Sequence, residues 1–164
     1  MEPGEIDPDY LRYLFEYKDG HLYWKDTPRR HATRGKKAGR QTPNGYITVE
    51  IDGTPYQEHR LIWSYHNGNA DMMIDHIDGN RSNNKIENLR LCTRVQNSHN
   101  RKRCSRNTTG VKGIRVRPDS GKYEVRITVN KKRFVFGSYR DLEFAELVMV
   151  MAREKLHGEF ANHG

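Results

Sequence analysis

The sequence predicts a mixed α+β chain assembled from small sheets, and three observations carry that prediction. Short apolar runs flank Asp-Gly pairs at 19–20 and 52–53, the pattern of hairpins whose two turn residues take positive φ. Residues 111–136 alternate apolar and polar side chains with a period of two, as half-buried strands do. Residues 141–157 instead repeat apolar side chains every three to four positions, the spacing of an amphipathic helix.

Each element follows from local chemistry. Asp7 is placed to cap a short helix over Pro8–Leu14. Phe15–Tyr17 and Leu22–Trp24 form the first predicted hairpin, and Tyr46–Ile51 with Tyr56–Glu58 the second. Residues 27–45, rich in Arg, Lys, Gly, Thr and Pro, read as a loop. His59–His66 is a short helix with Leu61, Ile62 and Tyr65 on one side, ended by Asn67-Gly68-Asn69. Over 72–104 the order is strand (Met73–Ile77), turn and polar loop, strand (Leu89–Cys92), then a polar helix capped by Thr93 and reaching about Asn100. Residues 104–109 read as a linker. Three strands (Val111–Arg117, Tyr123–Val129, Arg133–Phe136) and a helix over Asp141–His157 follow, with Gly158 at C′. Ala145, Val148, Ala152 and Leu156 share one face of that helix and match the apolar side of the strands. Trp24 and Trp63 are expected in the core.

Composition narrows the function. The 164 residues carry 29 Lys and Arg against 21 Asp and Glu, a formal net charge of +8. No apolar run approaches the roughly 20 residues of a membrane span. The acidic stretch Met1–Tyr10 lacks the apolar centre of a signal peptide. Cys92 and Cys104 form no CxxC pair, which argues against a cysteine zinc knuckle and a disulfide scaffold. A soluble, intracellular chain with an anionic partner, nucleic acid first, is the expectation. The positive charge concentrates in 92–140, where Arg94, Arg101, Lys102 and Arg103 precede ten bases facing only Asp119 and Glu124.

Strand alternation puts Arg115, Arg117, Arg126, Thr128 and Arg133 on the sheet face opposite the helix. Basic residues on exposed strands also guard edges against pairing. That explains edges but not four arginines spread over three strands, whereas the planar guanidinium fork suits guanine edges and phosphates. Gly110-Val111-Lys112-Gly113-Ile114, Gly121-Lys122-Tyr123, Phe136-Gly137-Ser138-Tyr139, Phe144-Ala145 and the closing Leu156-His157-Gly158-Glu159-Phe160-Ala161-Asn162 resemble the ethylene-response-factor (APETALA) type of DNA-binding domain. The resemblance covers nearly all of 108–162. It implies a three-stranded antiparallel sheet on one helix, lying in the DNA major groove, with Tyr123 standing where the family usually has tryptophan.

Asp75-His76 and the asparagines that follow carry the chemistry. Phosphodiester cleavage needs a base for water, a metal to take up phosphate charge, and a group that fixes the base. His76 can serve as base and Asp75 as a hard oxygen ligand, although adjacent strand residues normally face opposite sides. Asn97, one turn into the polar helix, can add an amide oxygen, and Asn88 can hold the loop and orient His76. Asp75-His76, Asn88 and Asn97 at this spacing, with Gly45-Tyr46 and His59-Arg60-Leu61-Ile62-Trp63 before them, resemble the HNH nuclease family in its H-N-N variant of phage and homing enzymes. The resemblance implies a ββα-metal core and one divalent metal, Mg²⁺ with Mn²⁺ able to substitute. It makes His76 the general base, Asn88 its positioning residue, and Asp75 and Asn97 the metal ligands, with 5′-phosphate and 3′-hydroxyl products. Asn100 is an alternative third position, His99 falls on a different helix face, and His59 reads as structural or a phosphate contact. Arg90 and Arg94 could meet phosphate or pair with nearby acids.

The expected organisation is an N-terminal scaffold over 1–42, a nuclease domain over 43–104 with the metal motif at 72–104, and a DNA-binding domain over 105–164. The scaffold would extend the DNA contact through Arg29, Arg30, Lys36 and Lys37. The expected function is metal-dependent cleavage of double-stranded DNA, by nicking or double-strand breaks, as a monomer or weak dimer in the cytoplasm of a bacterial host. The alternative is a DNA-binding protein or repressor that does not cut.

Overall fold

A computed structural model describes residues 6–26, 33–99 and 107–161, with the side chains of Ser98 and His99 left aside. The chain divides into two compact units, Met1–Thr93 and Arg94–Gly164.

In the first unit, α1 (Pro8–Leu14) is capped by Asp7, whose carboxylate accepts from Asp9 N–H at 2.9 Å. Strands β1 (Phe15–Lys18) and β2 (His21–Trp24) pair antiparallel across Asp19-Gly20, both at positive φ as the predicted turn requires. Strands β3 (Arg40–Gln41), β4 (Ile47–Ile51) and β5 (Thr54–Gln57) form a second antiparallel sheet, turning at Asp52-Gly53. Helix α2 (Glu58–Asn67) follows directly. Strands β6 (Met73–His76) and β7 (Leu89–Cys92) make a two-stranded ribbon, with Asp75 opposite Arg90 and His76 opposite Leu89. A 3-10 turn at Ile86–Asn88 leads into β7.

One core unites these elements. Leu11, Leu14, Phe15, Leu22 and Trp24 pack with Val49, Ile51, Leu61, Ile62 and Leu89. The expected N-terminal scaffold region over 1–42 shares this core. Residues 8–24 contribute nearly half of the buried cluster, because small sheets with lean apolar content must share one interior. Trp24 is buried and Trp63 is half-buried against the same core.

The second unit begins with α3 (Arg94–His99), which follows β7 after one residue and completes the strand-strand-helix order expected of the metal motif. Strands β8 (Ile114–Val116), β9 (Tyr123–Val129) and β10 (Lys132–Tyr139) form an antiparallel sheet in the order β10-β9-β8. Helix α4 (Leu142–His157) covers one face of it. Val111, Ile114, Val125, Ile127, Ala145, Met149 and Ala152 fill that interface. Gly113 sits at φ +80°, where a side chain is strained, and a Cβ there would also displace the flexible end of Met149, 2.5 Å from its Cε.

Two strands differ from expectation. The first is shorter than predicted, and Val116 at its end is exposed. The third runs on to Tyr139 with a bulge between Val135 and Gly137. The bulge leaves Phe136 half-buried against the core while Phe134 and Val135 are exposed. No helix among the described residues is long and apolar enough to cross a membrane.

Candidate functional site

The site grows from the end of the β6–β7 ribbon. His76 is the last residue of β6 and Asp75 precedes it, so strand alternation sends their side chains to opposite faces of the ribbon. Asp75 is buried on the Arg90 side, and its Oδ2 accepts from Arg90 Nη2 at 3.1 Å and Nε at 3.3 Å. Arg90 is thus an ion-pair partner of Asp75, which resolves the choice between phosphate and acid. His76 is 4% exposed and turns toward α2. Its Nε2 lies 2.8 Å from Asn84 Oδ1, and Asn84 Nδ2 donates to Glu58 Oε2 at 2.7 Å. The rings of His59 and Tyr46 stand 5.0 and 6.2 Å from that of His76, centroid to centroid. Arg81 covers Tyr46, with its guanidinium carbon 4.9 Å from the ring centre.

Asn88 ties the turn after His76. Its Oδ1 accepts from Asp78 N–H at 3.1 Å, and its Nδ2 donates to Asp78 Oδ1 at 3.0 Å and to the Asn83 carbonyl at 2.8 Å. The Asn88 carbonyl also accepts from Ile77 N–H, next to His76. Burial alone would raise the Asp78 carboxyl, but hydrogen bonds from Asn83, the Asn80 backbone and Asn88 hold it below its ordinary range. Asn88 therefore fixes the backbone around His76, while Asn84 holds the ring.

Burial, aided by the charges of His76 and Arg60, pushes the His59 imidazole down to about 3, so it is neutral under ordinary conditions. The Cys92 thiol is buried, and burial first, then the Asp75 charge, pushes it up.

Residues 56–99 match the family model described as HNH endonuclease. The chain is 36% identical over 107 residues to Protein 3.8 of Escherichia phage T7, covering 64% of this chain and 88% of the relative. The chain belongs to the HNH endonuclease family. A second relative, from Acanthamoeba polyphaga mimivirus, is named an uncharacterized HNH endonuclease, L560. It is 35% identical over 121 residues, covering 72% of this chain and 62% of the relative's own length. No solved structure matches.

HNH nucleases use a divalent metal ion, and the donor chemistry of this HNH nuclease fits one. Asp75 offers a carboxylate, a hard oxygen donor, whose Oδ2 also accepts from Arg90. Among the described residues no three His, Cys, Asp or Glu side chains form a metal cluster. The chemistry suits Mg²⁺, which takes one or two carboxylates and keeps several waters, better than a cage built only of protein. Asn97 is half-buried on α3, in the second unit.

Sequence reasoning missed Glu58, Asn84 and the placement of His59. Glu58 reads as the end of a strand and Asn84 as a loop residue, and yet they are 0% and 1% exposed. The available signal was the lone acid before His59-Arg60-Leu61, a carboxylate at the start of an apolar helix face.

On the second unit the polar face of the sheet assembles as predicted for Arg115, Arg126, Thr128 and Arg133, with Thr128 directly opposite Arg133. Arg117 lies just past β8 and pairs with Asp119 at 2.6 Å. Glu124 sits in the middle of this face, accepting from Arg115 Nε at 2.8 Å with Arg126 Nη1 3.9 Å away. The Arg115 hydrogen bond is the main cause that holds the Glu124 carboxyl below its usual range. Tyr123 does not join the arginines. It shares the face of Val125 and is half-buried against the helix-covered core. Arg94 is exposed at the start of α3. Arg101 and Lys102, like Arg29, Arg30 and Asn100, lie outside the described residues.

Proposed function

We propose that the HNH endonuclease hydrolyses double-stranded DNA with His76 as general base and the arginine face of the second unit as its DNA-reading surface. The observation that carries the reading is the His76 ring, buried at the end of the ribbon and held at 2.8 Å by Asn84 beside the Asp75–Arg90 pair. His76 accepts a proton from water, whose oxygen forms the new bond to phosphorus. The bond to the 3′ oxygen breaks, and that oxygen takes up a proton, leaving 5′-phosphate and 3′-hydroxyl ends. Asn88 holds the backbone around the base. Asp75 and Asn97 would bind the divalent ion, Mg²⁺ or Mn²⁺, which when bound neutralises charge on the phosphate.

Phosphate contacts from the basic second unit would supply affinity that falls steeply with salt. Arg126 and Arg133 would supply sequence preference, about 1–3 kcal/mol for each good bidentate base contact. Tyr123 is left out of that surface, because its ring packs on the core. The N-terminal hairpin is assigned to bracing the site, since Gly20 presses on the Asn84–Lys85 backbone and Tyr17 Oη accepts from Ile86 N–H at 3.0 Å.

The test is nicking of supercoiled plasmid with Mg²⁺ or Mn²⁺, beside EDTA and a His76→Ala variant. Metal-dependent cutting that vanishes in His76→Ala, with DNA binding retained, is expected. Undiminished cutting by His76→Ala removes it from the base role.

A further inference from the structure

We propose that Asn84 and Glu58 are positioning residues that lock His76 as the Nε2–H tautomer, so that Nδ1 is the nitrogen that takes the proton from water. The inference deepens the proposed function and rests on its reading of His76 as the base.

The argument starts at Glu58, 0% exposed at the first position of α2. Its Oε1 accepts from the Leu22 backbone N–H at 3.0 Å. Its Oε2 accepts from Asn84 Nδ2 at 2.7 Å and lies 3.3 Å from His21 Nδ1. A carboxylate only accepts, so it fixes which end of the Asn84 amide faces it. Turning the amide round would set two acceptor oxygens 2.7 Å apart in a buried site. Asn84 must therefore present its carbonyl oxygen to His76 Nε2.

A carbonyl oxygen also only accepts, so Nε2 carries the hydrogen. A neutral imidazole has one donor and one acceptor nitrogen, which leaves the lone pair on Nδ1. The order of donors runs one way, His76 to Asn84 to Glu58. No step in it can be reversed without burying an unmatched pair.

The chain is anchored on both sides. The Leu22 N–H bond ties Glu58 to β2. The turn at Gly20 lies so close to the Asn84–Lys85 backbone that a Cβ would meet Lys85 N at 2.7 Å. Asn84 is thus held by backbone packing as well as by its side chain. A loop residue with no such role has no need of 1% exposure and two bonds below 2.9 Å.

The test uses the full chain with ¹⁵N-labelled histidine and long-range ¹H–¹⁵N spectra, at a pH where the imidazoles are neutral. His76 is expected to show a protonated-type Nε2 and a bare-type Nδ1. Glu58→Gln is the key variant, because glutamine has one acceptor oxygen for the two donors Leu22 N–H and Asn84 Nδ2. It should let the Asn84 amide turn and shift His76 toward the other tautomer. The nicking kcat on supercoiled plasmid with Mg²⁺ should fall about 10–100-fold, with binding to a short labelled duplex unchanged. Asn84→Ala should lose rate in the same way, and Glu58→Gln carries the test if that variant does not fold.

A wild-type His76 found as the Nδ1–H tautomer overturns the inference. So does a Glu58→Gln enzyme that cuts at the wild-type rate. If His76→Ala still cuts while the wild-type spectrum shows Nε2–H, the base reading fails and the tautomer lock stands.

Discussion

Replacing His59 by Phe separates two consequences of burying an imidazole. The ring is 4% exposed, and its Nδ1 is buried without a hydrogen-bond partner among the described residues. Burial first, then the charges of His76 and Arg60, lower its pKa from 6.5 to about 3. Between those values the unfolded chain binds more protons than the folded one, so stability rises with pH across the window. The contribution is present in full above 6.5 and is lost as the pH falls through about 3. At about 1.4 kcal/mol per pH unit the window is worth on the order of 5 kcal/mol. That is a large share of the 5–15 kcal/mol typical of a whole domain. His59→Phe keeps a ring of similar breadth, cannot be protonated, and removes the unmatched Nδ1. We expect it to lie within about 1.5 kcal/mol of wild type near pH 7. Near pH 4 it should be about 3 kcal/mol more stable than wild type. Trp24 and Trp63 are the two tryptophans of the chain and both lie in the first unit, so urea melts followed by tryptophan fluorescence report that unit. Parallel loss of stability in both proteins from pH 7 to 4 would refute the reasoning.

Other outcomes follow from the second unit. Glu124→Gln removes the carboxylate among Arg115, Arg126 and their neighbours, and should steepen the salt dependence of duplex binding by about one phosphate contact and tighten it about fivefold near physiological salt. Weaker binding with an unchanged slope would mean that Glu124 organises the arginines for DNA. Lys112, pushed down to about 8 by burial and then by Arg153, is a base whose folded pKa is depressed. Its contribution should rise between pH 8 and 10.5, amounting to no more than about 1 kcal/mol once solvent screening is allowed for. A Lys112→Gln variant should lack that rise in urea melts followed by circular dichroism. Asp141→Ala removes the cap that accepts from Phe144 N–H at 2.7 Å and should cost about 1 kcal/mol, or roughly 4–8 °C in a domain of this size. An unchanged thermal melt would show that α4 does not depend on its cap.

The sequence alone determined the local elements and the order of the motif. Asp-Gly turns fix two hairpins, because the φ values they need are set by the residues themselves. Period-two and period-3.6 patterns placed β9 and α4 within a residue of their ends, since those patterns record which side chains must leave water. Asp75-His76, Asn88 and Asn97 stand out along one short stretch through their resemblance to the HNH motif. The tertiary structure decided what surrounds them. His59 meets His76 across 17 residues of chain and Glu58 meets Asn84 across 26, by packing α2 and the first hairpin against the ribbon. The bulge in β10, the shared core of residues 8–24 and the carboxylate among the arginines were equally out of reach. The physical reason is the same in each case. Turn chemistry and amphipathic period act between near neighbours, whereas a buried polar side chain acquires its partner only when distant elements close over it and exclude water.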